Sequence, residues 1–167
     1  MRHINILRYN NFVIKYNAKG IIKNVETIYN VGVEVEKLRC TKEGKLSTRM
    51  HPEKFGNKKE NDFITTDFGE AQIELRTPVC KSTEECYFKL ETITNVVLDE
   101  LNKNDELLWP YSMPCILPDN ETDFNISNFG KYEEETNYRL ALYEKYGYKM
   151  HCMSGVHVNF SFNKKFF

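Results

Sequence analysis

Few of the signatures that disclose a protein's chemistry occur in this chain. No apolar run approaches the roughly 20 residues that a membrane-spanning helix needs. The opening stretch, MRHINILRYNNFVIKYN, lacks the long apolar core and small-residue cleavage site of a secretory leader. There is no charge excess: 23 Lys and Arg stand against 24 Asp and Glu, and the basic residues are scattered rather than striped. That balance points away from nucleic acid and from an anionic membrane surface. The cysteines are odd in number and widely spaced (Cys40, Cys80, Cys86, Cys115, Cys152), with no CxxC pair. This suits reduced thiols in a soluble cytoplasmic protein better than a disulfide framework or a zinc site. The sequons at Asn120, Asn125 and Asn159 then read as chance matches. His151 beside Cys152 is a poor metal pair, because neighbouring strand residues point to opposite faces.

The common nucleotide and hydrolase motifs are missing too. EGKLS has Arg39 where a phosphate loop needs its first glycine, and Leu46 after the lysine. No GxGxxG opens a helix and no GxSxG elbow occurs. An ATP site in this chain must therefore rely on metal ions rather than on a glycine cradle.

What the chain does contain is strands with unusual polar faces. In VGVEVEKLR (31–39), Val31, Val33 and Val35 share one parity, while Gly32, Glu34, Glu36 and Leu38 share the other. Glu is depleted in strands, and like charges on one face repel. A second strand is predicted over about 71–77, with Gln72, Glu74 and Arg76 on one parity; Asp67 and Glu70 lie just before it and Pro78 ends it. The last segment alternates Val156, Val158, Phe160 and Phe162 with Gly155, His157, Asn159 and Ser161. If the polar parities share one side of one sheet, several carboxylates and an imidazole converge. Left bare, they would repel one another and raise their own pKa values. A hard divalent cation, Mg²⁺ or Mn²⁺, would relieve that repulsion. Read without such an ion, the same parities are ordinary solvent faces.

Two helices complete the pattern. Ser82 opens a capping box, STEE, ahead of Cys86, Leu90, Ile93, Val97 and Leu101 at helical spacing, which predicts a helix over 82–103. A second is predicted over 134–146, with Tyr138, Leu142 and Tyr146 along one face and Gly147 as its C-terminal cap. LLWPYSMPCILP reads as an apolar strand or extended run, 47–62 and 119–134 read as polar connections, and residues 1–29 have no clear pattern. The expectation is one α+β domain over 1–167, mainly antiparallel, with both helices on the sheet's apolar face.

The ordered series VGVEVEKLR, HPEKFG, ITTDFGEAQIELRTPV, LLWPYSMPC, NYRLALYEKYG and SGVHVNFSF, spanning about residues 31–162, resembles glutamate–cysteine ligase of the bacterial type, which also occurs fused to a glutathione synthetase region. The resemblance implies a glutamine-synthetase-like carboxylate–amine ligase core, here partial, whose sheet carries the active site on its concave face. It implies ATP-dependent joining of the glutamate γ-carboxyl to the cysteine amine through an acyl phosphate. Carried over by position, Glu34, Glu36, Asp67, Glu74 and His157 resemble the family's metal ligands. Phe68, Tyr138 and Arg139 match positions near the substrates, with a core role for Tyr138 and a surface role for Arg139 as rivals. Glu70 is expected to be structural or to support the site from behind, Asn159 to support it or to be a polar neighbour only, and Gln72 and Arg76 are left without a role. The proteobacterial relatives usually carry Arg where Val35 stands, but that position faces away from the acidic parity.

The implied partners are glutamate, cysteine and ATP, together with the later part of the ligase, since family members continue well past SGVHVNFSF. On this reading the chain looks like an N-terminal portion and an incomplete catalytic unit. Two other readings stay open: a ligase for a different amine, and a non-catalytic interaction module.

Overall fold

The computed structural model describes residues 29–162, so the unpatterned residues 1–28 lie outside it. In chain order the elements are β1 (Tyr29–Thr41), β2 (Ile64–Thr66), β3 (Gln72–Arg76), α1 (Thr83–Asn102), β4 (Glu106–Leu108), α2 (Glu133–Tyr146) and β5 (Val156–Phe162), with 3-10 turns at Glu53–Phe55, Glu121–Asp123 and Lys149–Cys152. The α+β class, with a mainly antiparallel sheet and two helices, is as the sequence implies.

β1 is the spine. Along one edge it pairs with β3, Glu34 opposite Arg76 and Leu38 opposite Gln72, and β2 lies beyond β3. Its other edge is shared: β5 takes the half from Tyr29 to Val35, and β4 takes Arg39 to Thr41. All of these strand pairings are antiparallel. β2 and β4, three residues each, are too short for alternation to mark them. Most of the run LLWPYSMPCILP is not strand, because its prolines cannot donate to a ladder.

α1 covers one side of the sheet. Leu90, Ile93, Val97 and Leu101 meet Ile73 and Leu75 of β3, with Phe55 and Ile64 closing the cluster. Full burial of each such side chain contributes roughly 1.5–3 kcal/mol. The Ser82 hydroxyl accepts the Glu85 amide at 3.1 Å, as a capping box requires. The returning Glu85 carboxylate accepts the Lys81 amide at 2.8 Å, one residue before the cap, rather than that of Ser82.

α2 departs from expectation. No residue of it is buried; Leu142 and Tyr143 pack against a cluster of Leu38, Cys40, Phe68, Ala71, Phe124, Tyr148 and Cys152. Leu38 and Cys40 share the parity of Glu34 and Glu36, so α2 lies on the acidic side of β1, opposite α1. The two helices therefore flank the sheet instead of sharing its apolar face. The predicted stripe dissolves accordingly: Leu142 packs, while Tyr138 and Tyr146 are exposed.

β5 corrects a second expectation. Val156, Val158, Phe160 and Phe162 register against Val35, Val33, Val31 and Tyr29, yet all four are exposed. α1 lies over β1, β3 and β4, and no second layer among the described residues covers β5. Among the described residues the Tyr29 ring stacks on Phe160 at 5.2 Å, and the Phe162 ring meets Phe160 edge-on at 5.1 Å. His151 and Cys152 occupy a 3-10 turn rather than a strand, with the His151 ring stacked on Phe68 at 4.2 Å. The five cysteines are buried and form no disulfide. No helix among the described residues is long and apolar enough to cross a membrane.

Candidate functional site

The sheet register brings the three polar parities onto one side. Glu36 stands directly opposite Glu74, and Glu34 stands between Arg76 on one neighbour and His157 on the other. Asn159 faces Gly32. Asp67 opens the turn between β2 and β3, its amide donating to the Gln72 carbonyl at 3.0 Å, which puts it level with Gln72 on the same side. A directly opposed Glu–Glu pair is unfavourable for a sheet, so this arrangement is not what stability alone would select.

The electrostatics carry the mark of that crowding. Burial, then the Glu36 charge, pushes the Asp67 carboxyl above its ordinary value. Burial likewise raises Glu74; Arg76 opposes the rise, and the charges of Asp67, Glu34 and Glu36 add to it. Four carboxylates therefore sense one another across β1, β3 and the β2–β3 turn.

Glu36 and Glu34 are held differently. One oxygen of Glu36, Oε2, accepts the Gly155 amide at 2.8 Å and lies 3.5 Å from the Gln72 amide nitrogen, while Oε1 lies 3.3 Å from His157 Nε2. Glu34 Oε1 accepts one bond, from Asn159 at 3.1 Å. Val35, between them, is buried on the other face against Leu75 and Val156, so its identity does not intrude on the acidic side.

Glu70 belongs elsewhere. It is 1% exposed and paired with Lys58 at 2.5 Å, and it accepts the amides of His51 at 2.9 Å and Asn128 at 2.8 Å. It ties three connections together and is absent from the acidic cluster, in keeping with a structural part.

The substrate positions divide. Phe68, 3% exposed, is a core residue stacked between Phe124 and His151. Tyr138 is 63% exposed, which removes its core reading. Arg139 is mostly buried, which removes its reading as a surface charge. Its guanidinium lies over the Phe129 ring at 4.3 Å, donates through Nε to the Asp67 carbonyl and bonds the Glu135 carbonyl at 2.8 Å. Its charge also draws the Asp67 pKa down, together with His151 and the Phe68 backbone bond, against burial and Glu36.

In kind, oxygen donors with one imidazole and no thiolate suit a hard divalent cation. In arrangement the set is open: among the described residues no three His, Cys, Asp or Glu side chains stand close enough to hold an ion between them. An ion would have to draw Glu74 and Asp67 towards Glu36, its charge offsetting the repulsion among them.

A model of the glutamate–cysteine ligase family matches residues 16–167. The chain belongs to that family. Among relatives of this glutamate–cysteine ligase family chain, the bifunctional glutathione biosynthesis protein GshAB of Clostridium perfringens is 44% identical over 137 residues, covering 82% of the chain and 17% of that protein. The glutamate–cysteine ligase of Clostridium acetobutylicum is 47% identical over 139 residues, covering 81% and 28%. Two solved structures superpose: a bifunctional glutathione synthetase from Pasteurella multocida (TM-score 0.77, 33% identity, 85% of this chain and 18% of that one) and a glutamate–cysteine ligase from Francisella tularensis in complex with AMP (0.78, 34%, 83% and 28%). The chain thus spans under a third of each of these relatives.

Two residues escaped the sequence reading of this ligase-family chain. Gln72 shares the acidic parity but had no charge to single it out, and Gly155 matters through its backbone amide, for which sequence carries no signal.

Proposed function

We propose that this chain forms the metal- and phosphate-facing wall of a glutamate–cysteine ligase, which joins the γ-carboxyl of glutamate to the amine of cysteine while ATP becomes ADP. The observation that carries the reading is the β3–β1–β5 register, with Glu74, Glu36, Glu34 and His157 on one face and Asp67 at its rim. The AMP held by the Francisella tularensis relative is in keeping with a nucleotide substrate. Glu34, Glu36, Asp67, Glu74 and His157 would hold Mg²⁺ or Mn²⁺. Such an ion, when bound, neutralises phosphate oxygens as charge develops during phosphoryl transfer.

The chain's own residues supply position. Glu36 is held by neutral donors, and Arg139 fixes the main chain at Asp67 from the side of α2. Phe68 sets the adjoining wall, while Tyr138 stays open to a substrate or to further polypeptide. Because the chain spans under a third of its relatives, the rest of the glutamate, cysteine and ATP sites lies in polypeptide beyond it, and we place the whole protein in the cytoplasm.

The test is formation of γ-glutamylcysteine from glutamate, cysteine, ATP and Mg²⁺. In a full-length relative, Glu34→Ala and Asp67→Ala, at this chain's numbering, are expected to abolish turnover; unchanged turnover would sink the metal assignment. The folded chain alone is expected to form no product, and product from it would overturn the incomplete-unit reading. Cysteine should outcompete ammonia and other amines, and the reverse would point to a different amine substrate. The exposure of Val156, Val158 and Phe160 among the described residues favours one addition: this side is where further ligase polypeptide packs. Light scattering should then find the isolated chain associating, and a clean monomer would count against that.

A further inference from the structure

Gln72 is 2% exposed and lies on β3 beside the acidic pair. Its amide nitrogen donates to the Met153 carbonyl at 3.2 Å and reaches Glu36 Oε2 at 3.5 Å. Gly155 grips the same residue twice, since the Glu36 amide donates to the Gly155 carbonyl at 3.0 Å and the Gly155 amide donates back to Oε2 at 2.8 Å. The entry to β5 is thereby folded around Glu36, with Gln72 as the strut between β3 and that turn. A Cβ on Gly155 would stand 3.3 Å from His157 Nε2, 3.5 Å from Glu36 Oε2 and 3.7 Å from Oε1. Glycine thus leaves the imidazole room that a methyl would narrow by a few tenths of an ångström, while the carboxylate distances are ordinary contact.

We propose that Gln72 and Gly155 are positioning residues that hold Oε2 of Glu36 inside the protein and leave Oε1, beside His157, as the oxygen offered to a divalent cation. The inference rests on the metal-face reading of the preceding section. Glu36 then binds through one oxygen, and its orientation is set before the ion arrives. Glu34, which among the described residues accepts a bond from Asn159, is the less constrained member of the pair. Neutral donors suit this task, because a cationic partner in their place would compete with the ion for the carboxylate. Groups that orient a metal ligand typically govern affinity by 10- to 100-fold when removed.

The test uses this 167-residue chain and Mn²⁺, with binding followed by electron paramagnetic resonance and folding by thermal melts. Gln72→Met keeps length and volume but removes the donor. It is expected to weaken Mn²⁺ binding about 10-fold in a chain that still melts cooperatively, at the lower end of such effects because the Gln72–Glu36 contact is long, with a lowered melting temperature from the lost bond to the Met153 carbonyl. Gly155→Ala keeps the amide that grips Oε2 but crowds His157 Nε2, so it should weaken binding less than Gln72→Met does, by shifting the imidazole beside Oε1, and it serves if the Gln72 variant unfolds. Glu36→Gln is the control and should weaken binding most. If Glu36→Gln binds poorly while Gln72→Met and Gly155→Ala bind like the parent, the positioning role is overturned and the metal face stands. If the parent chain binds no Mn²⁺, or Glu36→Gln leaves its binding unaltered, this inference is overturned, while the metal face itself is judged by turnover of the full-length relative.

Discussion

Carboxylates a few residues apart on β3 and the turn before it are treated in opposite ways. Glu70 is sealed in and saturated, by Lys58 and by the amides of His51 and Asn128. Asp67 and Glu74 flank it in sequence, yet they gather near Glu36 and Glu34 and are raised by burial and by neighbouring carboxylates. Glu106, on β4, follows Glu70: it takes the Arg39 guanidinium at 2.9 Å and the Ser47 hydroxyl. A fully partnered carboxylate is architecture, because all its bonding capacity is spent inside the fold. A carboxylate left among its own kind keeps that capacity for something brought from outside. The difference lies in what each faces, and the side chains are otherwise the same.

The strongest way to break this contrast is to unpair the buried pair. Glu106→Ala, leaving Arg39 charged and buried, or Glu70→Ala, leaving Lys58, should each cost about 3–5 kcal/mol in urea denaturation. A loss below about 1 kcal/mol would show that these pairs do not organise the core.

Acid sharpens the contrast through His51, whose amide serves Glu70 but whose two ring nitrogens find no partner. Burial, aided by the charges of Lys58 and Arg39, lowers its pKa from 6.5 to about 4. The unfolded chain therefore binds a proton that the folded chain refuses. Stability from this group is intact above about pH 6.5 and is lost as pH falls towards 4, by up to about 3 kcal/mol. The acidic face has the opposite sign: Asp67 and Glu74 have raised folded pKa values, so the strain between them is present at neutral pH and eases as pH falls through those values. Melts between pH 7 and 4 should show His51→Phe less acid-sensitive than the parent and Glu74→Gln more so.

Ser82→Ala, which removes the α1 cap, should cost about 1 kcal/mol. It touches neither kind of carboxylate, so Mn²⁺ binding should not change. Smallest of all, Glu74→Gln at pH 7 should leave stability within about 0.5 kcal/mol of the parent, or raise it, since it relieves the opposed Glu36–Glu74 pair. A large loss there would mean that Glu74 is structural after all.

Much of this was legible in the chain. Period-two alternation marked β1, β3 and β5 and assigned Glu34, Glu36, Glu74 and His157 to polar parities. Helical spacing and Ser82 marked α1. Burial partners were less visible. Phe68 and Tyr138 both match positions near the substrates, with a core role as a rival for Tyr138, yet packing sends Phe68 into the core and leaves Tyr138 exposed, because α2 turns a different face to the sheet. Arg39 sits at the end of β1 where a polar terminus was natural to expect, yet it is buried against Glu106, 67 residues on.

By itself the sequence determined the strand parities, the α1 helix and the family, because these are local or ordered along the chain. Only the tertiary structure decided that the three polar parities share one side of one sheet, that α2 flanks that side, and that Gln72 and Gly155 hold Glu36. The reason is physical: alternation specifies the two faces of each strand, whereas which faces join depends on pairings between residues as far apart as Glu34 and His157.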